Sequence, residues 1–130
     1  MRQGYLAGSF DLLNVGDLDV IGQVRERCDR LVVGVYSDGY VRKLSGRLPV
    51  VPLNERAELL RHVRGVAEVL THNESTDWHK LSDYFTVLAS QDDRAGDLAE
   101  IVAPARQTSS RELQAALAPL AGAALQRGVA

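Results

Sequence analysis

Apolar runs rich in β-branched residues alternate along this chain with amphipathic runs of helix length. Leu18, Ile21, Val24 and, further on, Cys28 recur at spacings of three and four, which predicts a helix over 17–27. The continuous apolar run at 30–36 predicts a strand that is buried on both faces. In full, the pattern predicts strands at 5–7, 30–36, 66–71, 85–89 and 100–103, and helices at 17–27, from 52 onward, at 76–83 and at 109–126.

This order of elements predicts one α/β domain over residues 1–130, a Rossmann-like three-layer α/β/α fold with a parallel sheet. Between the elements, residues 37–39 are predicted to form a turn and residues 40–51 a mobile basic loop. The C-terminal leucines are expected to pack against the sheet, and a homodimer surface is the alternative. These leucines are Leu113, Leu117, Leu120 and Leu125.

Composition narrows the classes of partner. The net charge of −2 gives no global basic field, so we expect no nucleic acid and no anionic membrane as a partner. No apolar run approaches the roughly 20 residues of a membrane helix, and the N-terminus lacks the pattern of a signal peptide. The single cysteine, Cys28, excludes an internal disulfide. We therefore expect a cytoplasmic protein whose site for any anionic ligand is local.

The loop after the first predicted strand, residues 8–17, is the first place to look for chemistry. In an open parallel sheet, ligands bind beyond the carboxyl ends of the strands, where the strand order reverses. Gly8 and Gly16 let the backbone approach a ligand closely. The helix predicted to begin near Asp17 points its N-terminus at this crevice, and its free N–H groups favour an anion such as phosphate.

Residues 8–18 read Gly-Ser-Phe-Asp-Leu-Leu-Asn-Val-Gly-Asp-Leu. They resemble the signature loop of the cytidylyltransferases that act on glycerol 3-phosphate and similar phosphorylated alcohols, Gly-Thr-Phe-Asp-Leu-Leu-His-x-Gly-His-Leu. The resemblance continues through residues 28–38, 46–56 and 108–113. It implies transfer of a nucleotidyl group from CTP with release of pyrophosphate. It also implies a small-molecule ligand, a nucleotide or a phosphorylated alcohol, and Mg²⁺ with CTP where nucleotide binding is retained.

The resemblance also assigns roles to individual residues. It places Asp11, Asn14, Asp17 and Lys43 in the catalytic machinery and Asp92 and Asp93 at a magnesium ion. It assigns ligand contacts to Gly8, Ser9, Phe10, Gly16, Asp38, Arg47, Thr108, Ser109 and Ser110.

Several of these residues have a structural alternative. Asp17 is also a favoured helix cap, and Asp11 could hold the loop instead of a ligand. Lys43 and Arg47 could be solvated charges, whereas Asp92–Asp93 and Ser109–Ser110 could be caps. Asp11, Asp17 and Asp19 could attract a cation or form a solvated acidic patch. The three histidines, His62, His72 and His79, share no metal-ligand spacing and are predicted to lie on the surface.

Two departures from the family pattern fall on its histidines, which Asn14 and Asp17 replace, and further ones follow at residues 90–94, 95–103 and 106. Asn14 can donate a neutral hydrogen bond, but an ionised Asp17 only accepts and would repel a triphosphate. At an effective dielectric constant near 20, like charges about 4 Å apart cost on the order of 4 kcal/mol. Losing one preorganised donor costs roughly a hundred- to a thousand-fold in rate.

Three hypotheses follow. The first is a ligand-binding or scaffold module in which the parent reaction is lost or altered. The second is an active nucleotidyltransferase that uses Asn14, Lys43, Arg47, Ser109 and a metal differently. The third is a repurposed enzyme that uses Asp11 or Asp17 as a general acid or base.

Overall fold

The computed structural model of this chain describes residues 2–77 and 80, together with the backbone of two further strands at 84–88 and 100–102. Five parallel strands form one sheet in the order β3-β2-β1-β4-β5, with β1 at its centre. The predicted Rossmann-like α/β fold is confirmed. In chain order the elements are β1 (Gln3–Gly8), α1 (Val15–Glu26), β2 (Arg30–Tyr36), α2 (Asp38–Ser45), α3 (Leu53–Arg61), β3 (Val66–His72), β4 (Tyr84–Leu88) and β5 (Glu100–Val102).

Strand β2 is buried on both faces of the sheet, as its continuous apolar run predicts. On one face Leu31, Val33 and Val35 pack with the apolar sides of α1 and α3 in the main core cluster. On the other face Val32 and Tyr36 pack in a smaller cluster with Tyr5, Ala7 and Tyr40. The chain runs from β1 out to β3 and then returns to the far side of β1, so the strand order reverses beside β1.

The predicted turn and mobile loop over residues 37–51 are wrong in their first part, where the chain forms α2. The Ser37 hydroxyl caps this helix by accepting a hydrogen bond from the Tyr40 amide (3.1 Å). The helix ends at Gly46, whose φ of 79° lies in the left-handed region that glycine adopts without strain. A Ser-Asp-Gly sequence resembles a turn, and packing of Tyr40 against the sheet stabilises the helix instead.

The predicted surface position of His72 is also wrong, because its residue is only 5% exposed. The Tyr5 hydroxyl lies 2.7 Å from His72 Nδ1, and the ring also contacts Tyr36 and Tyr40. His62, by contrast, is exposed on the surface, as predicted. His79, most of the helix predicted at 76–83 and the helix predicted at 109–126 lie outside the described residues.

Candidate functional site

The ligand crevice is predicted at the carboxyl ends of β1 and β2, where the strand order reverses, and there the structure places residues 9–14 and the start of α1. Two non-glycine residues of this loop, Phe10 and Leu12, have left-handed backbone angles, with φ of 51° and 54°. Such conformations cost of order 1–3 kcal/mol and persist only where the surroundings enforce them. The Phe10 side chain is buried in the main core cluster, and this packing anchors the loop to the core.

Asn14 and Asp17 form a reciprocal capping box at the start of α1. Asn14 Oδ1 accepts hydrogen bonds from the amides of Gly16 (2.9 Å) and Asp17 (3.3 Å), and its Nδ2 donates to Leu12 O (3.0 Å). Asp17 Oδ2 in turn accepts from the Asn14 amide (3.2 Å). The chain's own oxygens therefore occupy N–H groups that a phosphate would use at a helix N-terminus.

α1 begins two residues before the predicted start near Asp17, and Asn14 is its N-cap. Asp17 therefore takes part in capping, as one of its two interpretations proposed, but from the third position of the helix and not as the N-cap itself. The pattern of Asn followed three residues later by Asp was the sequence signal for this arrangement. Asp17 is 6% exposed, so it does not belong to a solvated acidic patch.

Asp11 ties the loop to the segment between α2 and α3. Its Oδ2 accepts from the Val50 amide (2.8 Å) and its Oδ1 from the Val51 amide (2.9 Å). Asp11 is also 6% exposed, so the solvated patch is wrong for this residue as well. The structure thus places the carboxylate in the loop-holding position, and both of its oxygens accept from backbone amides.

Arg56, to which sequence reasoning assigned no role, lies buried at the carboxyl ends of β1 and β2. It is 1% exposed, yet it donates from Nη1 to Ser9 O (2.7 Å) and Tyr36 O (2.8 Å), and from Nε to Val51 O (2.7 Å). Its Nη2 lies 2.5 Å from Asp38 Oδ1. Two sequence signals pointed to it: its place in the segment 46–56 that resembles the family, and its position four residues before the buried Leu60 on the inner face of α3.

Arg56 therefore joins the carboxyl ends of β1 and β2 to α2 and to the segment before α3. Arg56 is paired with Asp38, so this ion pair adds no net charge at the carboxyl ends of β1 and β2. Of the residues assigned to the site, the structure brings Ser9 and Asp38 together through this one guanidinium.

The two basic residues assigned to the site lie on or just beyond α2. Lys43 forms an ion pair with Glu74 in the turn after β3, and Arg47 is exposed after the helix ends. Between α2 and this turn lies an open cavity of about 380 Å³, lined by Ser37, Gly39, Tyr40, Lys43, Asn73, Glu74 and Ser75. Lys43 therefore lies beside the carboxyl end of β3 and its charge is paired.

The described part of the chain contains no group of three or more His, Cys, Asp or Glu residues able to hold a metal ion. Asp11, Asp17 and Asp19 therefore do not form a cation site of this kind. Asp92, Asp93, Thr108, Ser109 and Ser110 lie outside the described residues, and their roles stay predictions. No helix formed by the described residues is both long and apolar enough to cross a membrane.

Comparison with known proteins agrees with the resemblance in the sequence. The family model described as cytidylyltransferase-like matches residues 5–112. The bifunctional protein HldE of Acidiphilium cryptum (strain JF-5) is 42% identical over 82 residues, which cover 62% of this chain and 17% of that protein. HldE of Bradyrhizobium diazoefficiens is 42% identical over 77 residues, 58% of this chain and 16% of that protein. The match thus spans only about a sixth of these relatives.

A solved structure shares the fold. The crystal structure of the lipopolysaccharide core biosynthesis protein from Thermoplasma volcanium GSS1 superimposes with a TM-score of 0.69. The alignment covers 83% of this chain and 99% of that chain, at 21% sequence identity. At this identity the likeness concerns the fold alone.

Proposed function

Because the chain belongs to the cytidylyltransferase-like family, we propose that it keeps the family's ligand crevice but has lost or altered the nucleotidyl transfer from CTP. It would then act as a ligand-binding or scaffold module. The capping box of Asn14 and Asp17 carries this proposal, because it fills the helix N-terminus at which a triphosphate would bind.

Two effects oppose a triphosphate at this helix. The ligand would first have to displace one side-chain oxygen, Asn14 Oδ1, which already accepts hydrogen bonds from the amides of Gly16 and Asp17. It would then approach the Asp17 carboxylate, and like charges about 4 Å apart cost on the order of 4 kcal/mol at an effective dielectric constant near 20. The neutral Asn14 supplies no charge to offset this repulsion.

The rest of the crevice supports retained binding. Asp11 and Arg56 hold the loop, both strand ends and the segment at 50–51 in one arrangement through the chain's own hydrogen bonds. A preorganised crevice costs a ligand less ordering entropy on binding.

The test measures pyrophosphate release from CTP with glycerol 3-phosphate and Mg²⁺, in parallel with the thermal shift that CTP induces. We expect no pyrophosphate from the wild-type chain. Turnover that depends on Mg²⁺ would overturn the proposal in favour of an active nucleotidyltransferase. A rise in melting temperature with CTP, without turnover, would support a nucleotide-binding module. A parallel thermal-shift screen of uncharged polyols tests for a module that binds no nucleotide.

Two variants separate the charge of Asp17 from the loss of the histidines. Asp17→Asn removes the charge and leaves a side-chain oxygen for the cap, so it should strengthen the CTP-induced shift without giving turnover. The double variant Asn14→His/Asp17→His restores both family residues and should gain measurable pyrophosphate release. If the double variant folds and binds CTP but stays inactive, the defect extends beyond this loop.

A further inference from the structure

The open cavity between α2 and the turn after β3 is a second place where a small molecule could bind. Its volume of about 380 Å³ lies within the size range of small-molecule pockets. Its lining comes from α2 and its cap on one side and from residues 73–75 on the other, and none of it belongs to the loop at 8–18. Asp38 bonds Arg56 at the ends of β1 and β2 and does not line the cavity. The cavity therefore has a lining of its own, separate from that of the crevice.

The two walls of this cavity differ in character. The turn is held by its own hydrogen bonds, because Asn73 Oδ1 accepts from the Ser75 amide (2.8 Å) and Thr76 Oγ1 accepts from the Asn73 amide (3.0 Å). On the helix side, no described atom lies within 4 Å of the position that a Cβ of Gly39 would take. A ligand would therefore meet a fixed turn on one side and an open stretch of helix surface on the other.

The cavity carries one charge of each sign, one on either wall. Lys43 of α2 forms an ion pair with Glu74 of the turn, and their side chains are 52% and 59% exposed. Exposed ion pairs contribute little to stability, because water and salt screen the charges and both side chains lose conformational freedom. This pair can therefore open for a ligand at little cost to the fold.

These two charges determine which class of ligand fits. A ligand with a single charge would open the ion pair and replace only one half of it. A zwitterion replaces both halves, because its anionic group pairs with the Lys43 ammonium and its own ammonium pairs with the Glu74 carboxylate. The side chains of Asn73 and Ser75 add neutral hydrogen-bonding groups on the same wall as Glu74.

We propose that this cavity binds a small zwitterion with a primary ammonium group and a carboxylate, which is the chemistry of a free amino acid. Such binding needs no nucleotide. It is therefore independent of whether nucleotidyl transfer in the crevice is lost, altered or retained.

Titration of the isotope-labelled full chain with γ-aminobutyrate, followed by the backbone amide resonances, tests the proposal. The flexible chain of this zwitterion lets its two charges reach both side chains, and we expect a dissociation constant on the order of 1 mM. The amides of Gly39, Asn73 and Ser75 should shift until they saturate. Butyrate and butylamine, each with a single charge, should give no saturable shift at the same ionic strength. Equal shifts with all three compounds, or no saturation up to about 50 mM γ-aminobutyrate, would contradict the proposal.

Substitution of either charge tests the charge matching. Glu74→Gln and Lys43→Gln should each raise the dissociation constant about three- to tenfold, since each removes one of the two ion pairs to the ligand. The matched control is Glu58→Gln, which should leave the constant unchanged. Glu58 forms an ion pair of similar exposure with Arg61, at 61% and 52%, and neither residue lines the cavity.

Exchange of the two charges separates charge matching from a general loss of structure. Lys43→Glu/Glu74→Lys keeps one charge of each sign and should bind γ-aminobutyrate more tightly than Glu74→Lys alone, which leaves two cations. An exchange variant that binds no better than Glu74→Lys would overturn the proposal. So would a folded Glu74→Gln or Lys43→Gln chain that binds as tightly as the wild-type chain.

Discussion

At Gly34 only glycine fits, because the Tyr5 side chain crosses over this position to reach His72. A Cβ atom at Gly34 would lie 1.8 Å from the Tyr5 hydroxyl, because the Tyr5 ring lies over β2. The absence of a side chain on β2 lets the hydroxyl of β1 reach His72 on β3, at 2.7 Å from Nδ1. One buried hydrogen bond thus links β1 to β3 across β2.

Burial of Tyr5 makes the stability of the fold sensitive to alkaline pH. Its phenol is fully buried, and this desolvation raises the pKa of Tyr5 above its ordinary value of 10.0. The unfolded chain therefore loses the proton at a lower pH than the native state does. The free energy of unfolding should fall as pH rises above 10, by up to about 1.4 kcal/mol per pH unit.

Urea unfolding followed by circular dichroism between about pH 8 and pH 11 measures this slope. Burial also raises the pKa of the Cys28 thiol, so all variants carry Cys28→Ala to remove that second titration. Tyr5→Phe should cost about 1 kcal/mol near pH 8, from the lost hydrogen bond to His72, and should flatten the alkaline slope. An equally steep decline in Tyr5→Phe would assign the effect to other groups.

At the scale of one element, α1 has a well-capped N-terminus and a destabilising glycine in its middle. Asn14 and Asp17 satisfy amide groups of the first turn, which stabilises the helix where the crevice begins. Gly22 lies in the middle of the helix on its exposed side. No described atom lies within 4 Å of the position that its Cβ would take. Glycine here carries the entropic penalty of its flexibility without any described contact that requires it.

Two single substitutions in α1 should therefore change stability in opposite directions. Asn14→Ala removes the cap and should lower the free energy of unfolding by about 1 kcal/mol. Gly22→Ala should raise it by about 0.5–1 kcal/mol, because alanine restricts the unfolded chain and fits the helix. Urea unfolding of both variants at neutral pH checks the pair. Destabilisation by Gly22→Ala would show that another segment packs closely on this face.

The elements that could be predicted from the sequence are those with a local hydrophobic pattern of their own. The buried run of β2 and the spacing of Leu18, Ile21 and Val24 identify a strand and a helix without knowledge of their neighbours. α2 could not be identified in this way. It is eight residues long, begins with turn-like residues, and gains stability from packing of Tyr40 on the sheet.

The residues of the candidate site also fall into those with a local sequence signal and those whose partners are distant in the chain. Replacement of the histidines by Asn14 and Asp17 is visible in the sequence, and the three-residue spacing of a capping box is local. Arg56 and His72 could not be placed, because their partners are distant in the chain. Arg56 reaches Ser9 across 47 positions, and His72 reaches Tyr5 across 67. Only the fold determines that such groups are buried and paired.

At the scale of the whole molecule, Asp11 is the link whose loss should open one segment while the sheet stays intact. Its carboxylate holds the amides of Val50 and Val51, at 39 and 40 positions along the chain. Hydrogen bonds to a charged group contribute about 1.5–3 kcal/mol each to stability. Without them, Val51 still accepts a hydrogen bond from Arg56 Nε, but Val50 and Val51 lose both of their hydrogen bonds to the loop after β1.

Asp11→Ala should therefore expose the peptide bond after Arg47 to trypsin, well before the rest of the described fold opens. Limited proteolysis with mass spectrometry should show faster cleavage at this bond than in the wild-type chain. Cleavage after Arg25 in α1 should stay slow, since the core cluster around that helix does not depend on Asp11. Glu74→Gln, which removes a surface ion pair, is the control and should not change the pattern. Simultaneous cleavage after Arg25 and Arg47 in Asp11→Ala would mean that the segment is part of the global unfolding unit, so that Asp11 stabilises the whole fold together with the loop.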